Sequence, residues 1–153
     1  MSVVIINVSN HKLTPVQTYD NNAKVIELPS KLSRDFSQIV PSAVNEIADR
    51  IVSFIMSTNN DYKYDNKVLI HLAGHPATTM QVFNRLNHDW FYYKGTQFVY
   101  AHSVRESVEE VQEDGSVVKR NVFNFNGWYD YQDNSLVELK NHFYPEELRN
   151  IGA

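Results

Sequence analysis

The sequence predicts an α/β fold: a small Rossmann-like domain with a mostly parallel sheet and a C-terminal β-hairpin. Continuous apolar runs at 3–8 and 67–74 are typical of parallel strands that are covered on both faces. A long amphipathic helix pattern lies between them at 42–57. Further along, Asp114 and Gly115 stand between two strand-like runs, which indicates a hairpin.

The first half of the chain is predicted to begin with two strands. The run VVIINV at 3–8 forms the first, and KVIELP at 24–29 forms the second, which a proline ends. Thr14 and Pro15 make an N-cap and first-turn pair that allows a short helix between these strands. In the helix at 42–57, apolar side chains recur every three or four residues on one face: Val44, Ile47, Ala48, Ile51, Phe54 and Ile55.

The second half continues the alternation of strands and helices. A third strand at 67–74 precedes a helix at 77–88, for which Pro76 suits the first turn. A fourth strand follows at 97–102. With right-handed crossovers, the four strands are expected in the order 2-1-3-4.

The end of the chain is predicted to carry the hairpin and a tail. The hairpin arm spans about 106–125, with an acidic first strand facing a basic second strand. An aromatic stretch, GWYDY, follows at 127–131. The tail at 132–153 allows short helices near 135–143 and at 145–150.

The composition bounds the class of protein. The chain has 153 residues, of which 42% are hydrophobic, and this suits a single domain over 1–153. No apolar run approaches the ~20 residues that cross a bilayer, and the first residues lack a basic leader, so no membrane partner is predicted. The absence of cysteine fits a cytoplasmic protein. The net charge of −4 argues against a DNA-binding face.

Small polar side chains follow three predicted strands. They are Ser9, Asn10, His11 and Thr14 after the first strand, Gly74, His75, Thr78 and Thr79 after the third, and His102, Ser103 and Arg105 after the fourth. In open α/β sheets, ligands bind at the carboxyl ends of the strands, where the strand order switches. Gly74 permits close approach of the backbone, and the free N–H groups at the following helix start favour an anion. Arg105 offers a planar fork for a phosphate. These residues predict a phosphate-binding site.

Simpler readings exist for the same residues. Serine and asparagine are ordinary turn formers, and the two threonines after Gly74 suit a helix cap. The histidines at 11, 75 and 102 lack the His-x-x-x-His spacing and have no cysteine partners, so no metal is predicted. His71 lies within a strand and is interpreted as a core histidine. No Walker loop, nucleophile elbow or dinucleotide-binding glycine motif is present, so no cofactor is predicted.

Four segments together resemble a known family. They are VSNHKLTPVQ, LIHLAGHPATTMQVFNRL, YAHSVRESVEEVQEDGSVVKRNVF and GWYDY, which cover most of residues 3–131. With these segments, the chain resembles the small CRISPR-accessory proteins of the Csx type, which are relatives of CARF domains. The resemblance implies a CARF-like domain that binds cyclic oligoadenylate, with cyclic tetra-adenylate as the expected ring, at the interface of a homodimer.

The resemblance also implies an activity. Some members of the family are ring nucleases that cut the ring and so switch off type III CRISPR signalling. Their usual chemistry is metal-independent: a ribose 2′-hydroxyl attacks the adjacent phosphorus and leaves a 2′,3′-cyclic phosphate. The enzyme holds the 2′-oxygen in line and stabilises charge on the phosphate oxygens.

By this resemblance, the catalytic residues are expected to be His11, His75 and Ser9. Either histidine would act as general acid. Ser9, Thr78 and Arg105 would donate to the phosphate oxygens, together with the backbone N–H groups near Gly74. Three features depart from the family pattern. His75 stands where relatives more often have an acidic or small residue, and the GWYDY end lacks the usual basic residues. The segment at 87–97 is also longer than the family pattern leads one to expect, and it is interpreted either as a lid or as a simple turn.

Two other functions remain open from the sequence. One is a binder that sequesters cyclic oligoadenylate without cutting it, which needs the same loops. The other is a subunit-contact protein that uses the aromatic hairpin for assembly and has no ligand.

Overall fold

The computed structural model describes residues 2–20, 22–87 and 96–138, and within them it has five strands and three α-helices. The strands are β1 (Ser2–Val8), β2 (Lys24–Glu27), β3 (Asn66–Leu72), β4 (Thr96–Val111) and β5 (Val117–Asp130). The helices are α1 (Ser30–Ser37), α2 (Val44–Tyr62) and α3 (Pro76–Leu86), and a short 3₁₀ helix at Pro41–Ala43 precedes α2.

The strands form one sheet in the order β2-β1-β3-β4-β5. The β1–β2, β1–β3 and β3–β4 pairs are parallel, and β4 and β5 pair antiparallel as the hairpin. This confirms the predicted α/β, Rossmann-like fold class and the predicted order 2-1-3-4. Because the chain moves from β1 to β2 on one side and returns to β3 on the other, the strand order switches between β1 and β3.

Each face of the sheet is buried by a separate apolar cluster. One cluster joins the sheet to the helices through side chains such as Ile6, Ile70, Phe36, Ile51 and Val82. The other cluster contains Val3, Ile5, Leu69, Val99 and Trp128 from the strands, with Tyr19 and Ala23 from the β1–β2 connection. Burial on both faces explains why β1 and β3 read as continuous apolar runs rather than as alternating ones.

Three elements differ from the sequence expectation. The β1–β2 connection forms turns over 15–20 instead of a helix, with Tyr19 and Asp20 at positive φ. Helix α1 was not predicted, because only Leu32 and Phe36 are buried in a polar segment. The strand predicted at 97–102 continues without a break to Val111.

The β4–β5 hairpin extends well beyond the central sheet. Its charges pair as predicted: Glu109 lies opposite Lys119, and an Arg120 nitrogen lies 2.7 Å from a Glu110 carboxylate oxygen. The register shifts between His102 and Ser103, which leaves one extra residue in β5. Such a bulge bends a hairpin and increases its twist.

Some sequence expectations concern other parts of the chain. The predicted helix at 145–150 lies outside the described residues, as do 139–143 of the helix near 135–143 and most of the segment at 87–97. Within the described part of the tail, Leu136 makes an isolated bridge to Tyr129. None of the described helices combines the length and apolar character needed to cross a bilayer.

Candidate functional site

A cleft of about 1060 Å³ opens at the carboxyl ends of β1 and β3, beside the bend of the hairpin. The loop after β1 contributes His11, Lys12, Leu13 and Thr14, and the loop after β3 contributes Ala73 and Gly74. The cleft is at the upper end of the roughly 300–1,000 Å³ typical of small-molecule pockets. It lies at the switch point of the strand order, where such folds bind their ligands.

Gly74 is required by the local backbone. Its φ is +122°, a conformation that residues with a side chain rarely adopt. A Cβ atom at this position would also lie 2.8 Å from the Cζ of Phe36, a core residue. The glycine therefore lets the strand pass directly over Phe36 into helix α3.

A hydrogen-bond network centred on Asn7 underlies the cleft. The Asn7 Nδ2 donates to the His11 carbonyl at 2.8 Å and to a Glu27 carboxylate oxygen at 3.1 Å. The Asn7 Oδ1 accepts from the Ser9 hydroxyl at 2.7 Å and lies 3.0 Å from the His71 Nδ1. Parallel pairing explains the cluster, because Asn7 lies opposite both Glu27 and His71.

The network fixes the protonation state of His71. A carboxylate and a carbonyl only accept, so the Asn7 amide nitrogen must face Glu27 and its oxygen must face His71. The hydrogen of the neutral imidazole is therefore on Nδ1, and Nε2 carries a lone pair. Burial, with a smaller effect of the nearby His11 charge, lowers the pKa of His71 to about 4. The ring is therefore neutral at pH 7.

Trp128 holds the other side of the His71 ring. The two rings meet edge to face with centroids 4.9 Å apart. The Trp128 Nε1 donates to the Gln17 carbonyl at 3.1 Å, which ties the β1–β2 connection to the sheet. His71 thus has little freedom to rotate, although it lines the cleft.

Aromatic side chains from α3 and the hairpin form a wall of the cleft. Phe83, Tyr100, Phe123 and Tyr131 line the cleft. The Tyr131 hydroxyl donates to the carbonyl of Leu72 at the end of β3, and burial raises the pKa of this tyrosine. Phe123 is 66% exposed, so one large ring faces solvent at the rim of the cleft.

The charge of the cleft favours an anion. Lys12 is the lining side chain that carries a formal positive charge at pH 7, and no carboxylate is among the lining residues of the described chain. This contrasts with the net charge of −4 of the protein as a whole. An anion entering the cleft would meet Lys12 and two imidazoles without facing a carboxylate on its walls.

Among the predicted residues of the first loop, His11 and Thr14 line the cleft directly, whereas Ser9 and Asn10 do not. Ser9 is buried and its hydroxyl serves the Asn7 network. Asn10 lines a neighbouring polar groove, which it shares with His11, Lys12 and Arg34. Of the polar residues after β1, Ser9 therefore has a structural role. Asn10 faces the neighbouring groove, and His11 faces both the groove and the cleft.

The residues after β3 also have two kinds of role: some line the cleft and others cap helix α3. Gly74 and Thr79 line the cleft, whereas His75 is the N-cap of α3. The His75 Nδ1 accepts from the Thr78 backbone N–H at 3.3 Å and lies 3.0 Å from the Thr78 hydroxyl. The Thr79 Oγ1 is buried and has no hydrogen-bond partner among the described residues.

The residues from β4 lie at the margin of the site. The ring of His102 is exposed and packs edge to face on Tyr129, with centroids 5.5 Å apart. The Arg105 guanidinium lies over the ring of Phe123, with its carbon 6.0 Å from the centroid. None of His102, Ser103 and Arg105 is among the lining residues of the cleft, and Arg105 adjoins it through Phe123.

Sequence reasoning missed Asn7, His71, Lys12 and the aromatic wall. A usable signal was present for two of them: Asn7 and His71 are polar residues near the ends of otherwise apolar strands. In a strand buried on both faces, a polar side chain must find a partner on a neighbouring strand. The aromatic wall had no such signal, because its side chains come from α3 and from the hairpin and meet only through long-range packing.

The sequence was compared with models of known protein families. A family model matches residues 3–129, which span the described strands and helices from Val3 to Tyr129. The chain belongs to the uncharacterized protein MJ1673 family. No curated protein and no solved structure matches it significantly.

The family match covers the whole candidate site of this MJ1673-family chain except Tyr131. It includes both loops, the Asn7 network and the hairpin. Among the described residues, no group of three or more His, Cys, Asp or Glu side chains is arranged to hold a metal ion. The function of the site must be argued from its own geometry.

Proposed function

We propose that the protein binds cyclic oligoadenylate, with cyclic tetra-adenylate as the expected ring, in the cleft between the β1 and β3 loops. A homodimer would present two such clefts to one symmetric ring. We further propose that it is a CARF-like ring nuclease that cleaves the ring by metal-independent attack of a 2′-hydroxyl, and that it acts in the cytoplasm in type III CRISPR signalling.

The observation that carries the proposal is the position of the cleft and the chemistry of its walls. One side offers His11, Lys12 and the glycine turn at Gly74, which suit a phosphate. The other side offers Phe83, Tyr100 and Phe123, on which a base can stack. A nucleotide ligand needs both kinds of surface within a few ångströms of each other.

The start of helix α3 adds to the phosphate side. Pro76 is its first residue, and Thr79 in its first turn also lines the cleft. The dipole of an α-helix favours negative charge at its N-terminus. The Thr78 N–H is already engaged by His75, so the remaining attraction comes from the dipole and from the loop amides.

A non-cleaving binder is the second candidate, and one observation favours it. Of the three residues expected to be catalytic, only His11 lines the cleft, since Ser9 serves the Asn7 network and His75 caps α3. Sequestration of the ring needs no general acid. Cleavage by this site requires a different second catalytic group.

Calorimetry and product analysis test the proposal together. Purified protein is titrated with cyclic tetra-adenylate and, as a control, with linear tetra-adenylate, and labelled ring is then incubated and separated by chromatography. We expect tight binding of the ring with two protomers per ring, and linear products that end in a 2′,3′-cyclic phosphate. Binding without products would favour the sequestering function, and no binding would refute both.

A matched pair of lysine variants locates the binding. Lys12→Ala removes the cation of the cleft and should weaken binding roughly 10- to 100-fold, as expected for a charge-assisted hydrogen bond. Lys63→Ala removes a lysine at the C-terminal end of α2, beside the start of β3 at the opposite edge of the sheet. It should leave the affinity unchanged. Equal effects of the two variants would argue against the cleft as the binding site.

A further inference from the structure

We infer that His71 is a catalytic base of this site, and that its unprotonated Nε2 accepts the proton of a ribose 2′-hydroxyl held in the cleft. The inference rests on the proposed function, which supplies that hydroxyl. It assigns the second catalytic group that the expected residues leave missing.

The hydrogen-bond network is the first support. The Nδ1–H of His71 donates to the Asn7 Oδ1 at 3.0 Å, and the Asn7 amide is held in turn by Glu27 and the His11 carbonyl. This arrangement fixes both the tautomer and the direction of the ring. A base oriented by a hydrogen-bonded third group is the usual design of an acid–base site.

The position of the Nε2 atom is the second support. His71 is only 7% exposed, yet it lines the cleft, and Nε2 has no hydrogen-bond partner among the described residues. A buried imidazole that pairs one nitrogen and leaves the other toward an open cleft is poised to receive a donor from a ligand. A ribose hydroxyl is such a donor.

The electrostatics of the free site and of the loaded site differ. In the free protein, burial keeps the pKa of His71 low, so that the imidazole is neutral and able to accept a proton. A phosphodiester bound beside it would favour the imidazolium and make the ring a stronger base. The base is thus strengthened by the ligand on which it acts.

The proposed step balances without another reactant. The 2′-hydroxyl proton passes to the His71 Nε2, and the 2′-oxygen forms a bond to phosphorus while the bond from phosphorus to the 5′-oxygen breaks. The leaving 5′-oxygen takes a proton from the His11 imidazolium, which lines the same cleft. The products are a 2′,3′-cyclic phosphate and a 5′-hydroxyl. His71 then returns its proton to solvent, and His11 takes one back from solvent.

Two substitutions at one position separate catalysis from structure. In His71→Asn, the side-chain amide nitrogen can replace Nδ1 as donor to Asn7, but no atom replaces Nε2. In His71→Gln, the amide can replace Nε2, but the bond to Asn7 is lost. We expect His71→Asn to fold and to bind the cyclic ring, with kcat for cleavage reduced roughly 100- to 10,000-fold. KM should rise by no more than the loss of one neutral hydrogen bond in each cleft allows.

A ring with 2′-deoxyribose tests the contact itself. The wild type should bind this ring more weakly than the ribose ring, by roughly 3- to 10-fold for each of the two clefts, because each cleft loses one neutral hydrogen bond. His71→Asn should bind the two rings equally. Equal binding of both rings by the wild type would overturn the contact.

The outcomes distinguish this inference from the proposed function. If His71→Asn cuts the ring within about threefold of the wild type, His71 is not the base, although ring cleavage stands. If the wild type binds the ring and never cuts it, the base is refuted and the sequestering function remains. NMR of ¹⁵N-labelled free protein gives a readout without ligand: a His71 tautomer with hydrogen on Nε2 would overturn the inference even where the protein cuts the ring.

Discussion

The Nδ1 atom of His71 lies 3.0 Å from the Oδ1 atom of Asn7, although 64 residues separate them in the chain. Parallel pairing of β1 with β3 brings them opposite each other. Through Asn7, this contact links His71 to Ser9 and His11 in the loop after β1. The buried histidine makes the stability of the fold depend on pH.

The stability of the fold should fall as the pH drops from 6.5 toward 4. The pKa of His71 is lowered from 6.5 to about 4 by burial and by His11, so in this window the unfolded imidazole binds a proton that the folded one refuses. Proton binding therefore favours the unfolded state, and the loss levels off below pH 4. It should reach roughly 3 kcal/mol, since one pKa unit is worth about 1.4 kcal/mol.

Urea unfolding at half-unit steps of pH measures this loss, with His71→Asn as the control that cannot titrate. The carboxyl pKa values of Asp35, Asp114 and Asp133 are lowered from 3.8 mainly by their hydrogen bonds, so their contributions are lost only at lower pH. Parallel pH profiles for wild type and variant would assign the loss to other groups.

Asn7 should contribute more to stability than a neighbouring asparagine does. Asn7→Ala leaves the buried His71 Nδ1 without its acceptor and removes the donor to Glu27, and a buried unpaired group costs about 1–3 kcal/mol. The Ser9 hydroxyl can still donate to the His11 carbonyl at 3.0 Å. We expect a loss of roughly 2–3 kcal/mol in the free energy of unfolding. Asn10→Ala, at an exposed position, should change it by no more than about 0.5 kcal/mol. Similar losses for both variants would contradict the network.

Two glycines at positive φ make a matched pair. Gly115→Ala, at φ +86° with open space around it, should cost roughly 1–2 kcal/mol for the backbone alone. Gly74→Ala adds a Cβ that meets Phe36 at 2.8 Å, so it should cost about 1–3 kcal/mol more than that. Thermal unfolding compares the two directly. A milder effect at Gly74 would mean that Phe36 can move aside.

Adjacent threonines on α3 should respond in opposite directions. Thr79→Val replaces a buried hydroxyl without a partner and should stabilise the protein by roughly 1 kcal/mol. Thr78→Val removes the hydroxyl that meets the His75 Nδ1 and should destabilise it by roughly 1–2 kcal/mol. Both changes keep the side-chain shape, so differential scanning calorimetry isolates the hydroxyls. A destabilised Thr79→Val would reveal a partner for that hydroxyl.

The sequence allowed prediction of the sheet but not of every wall of the site. The runs at 3–8 and 67–74 predicted parallel strands, because burial on both faces leaves mostly apolar residues in them. His11 and Gly74 were found because they follow those runs directly. His71 was interpreted as a core residue, since nothing local shows that Asn7 lies opposite it. Phe123 and Tyr131 reach the cleft through long-range packing of the hairpin, which no short segment encodes.

The bulge in β5 separates an inner part of the hairpin, which is buried against the sheet, from an outer part that is largely exposed. Trp128, on the inner part, is fully buried against the sheet, whereas Val111 and Val117 near the tip are 75% and 54% exposed. Regions with little buried apolar surface open locally at low free energy while the rest stays folded. We therefore expect the outer part of the hairpin, which carries Phe123, to open at a lower free energy than the inner part, which carries Trp128.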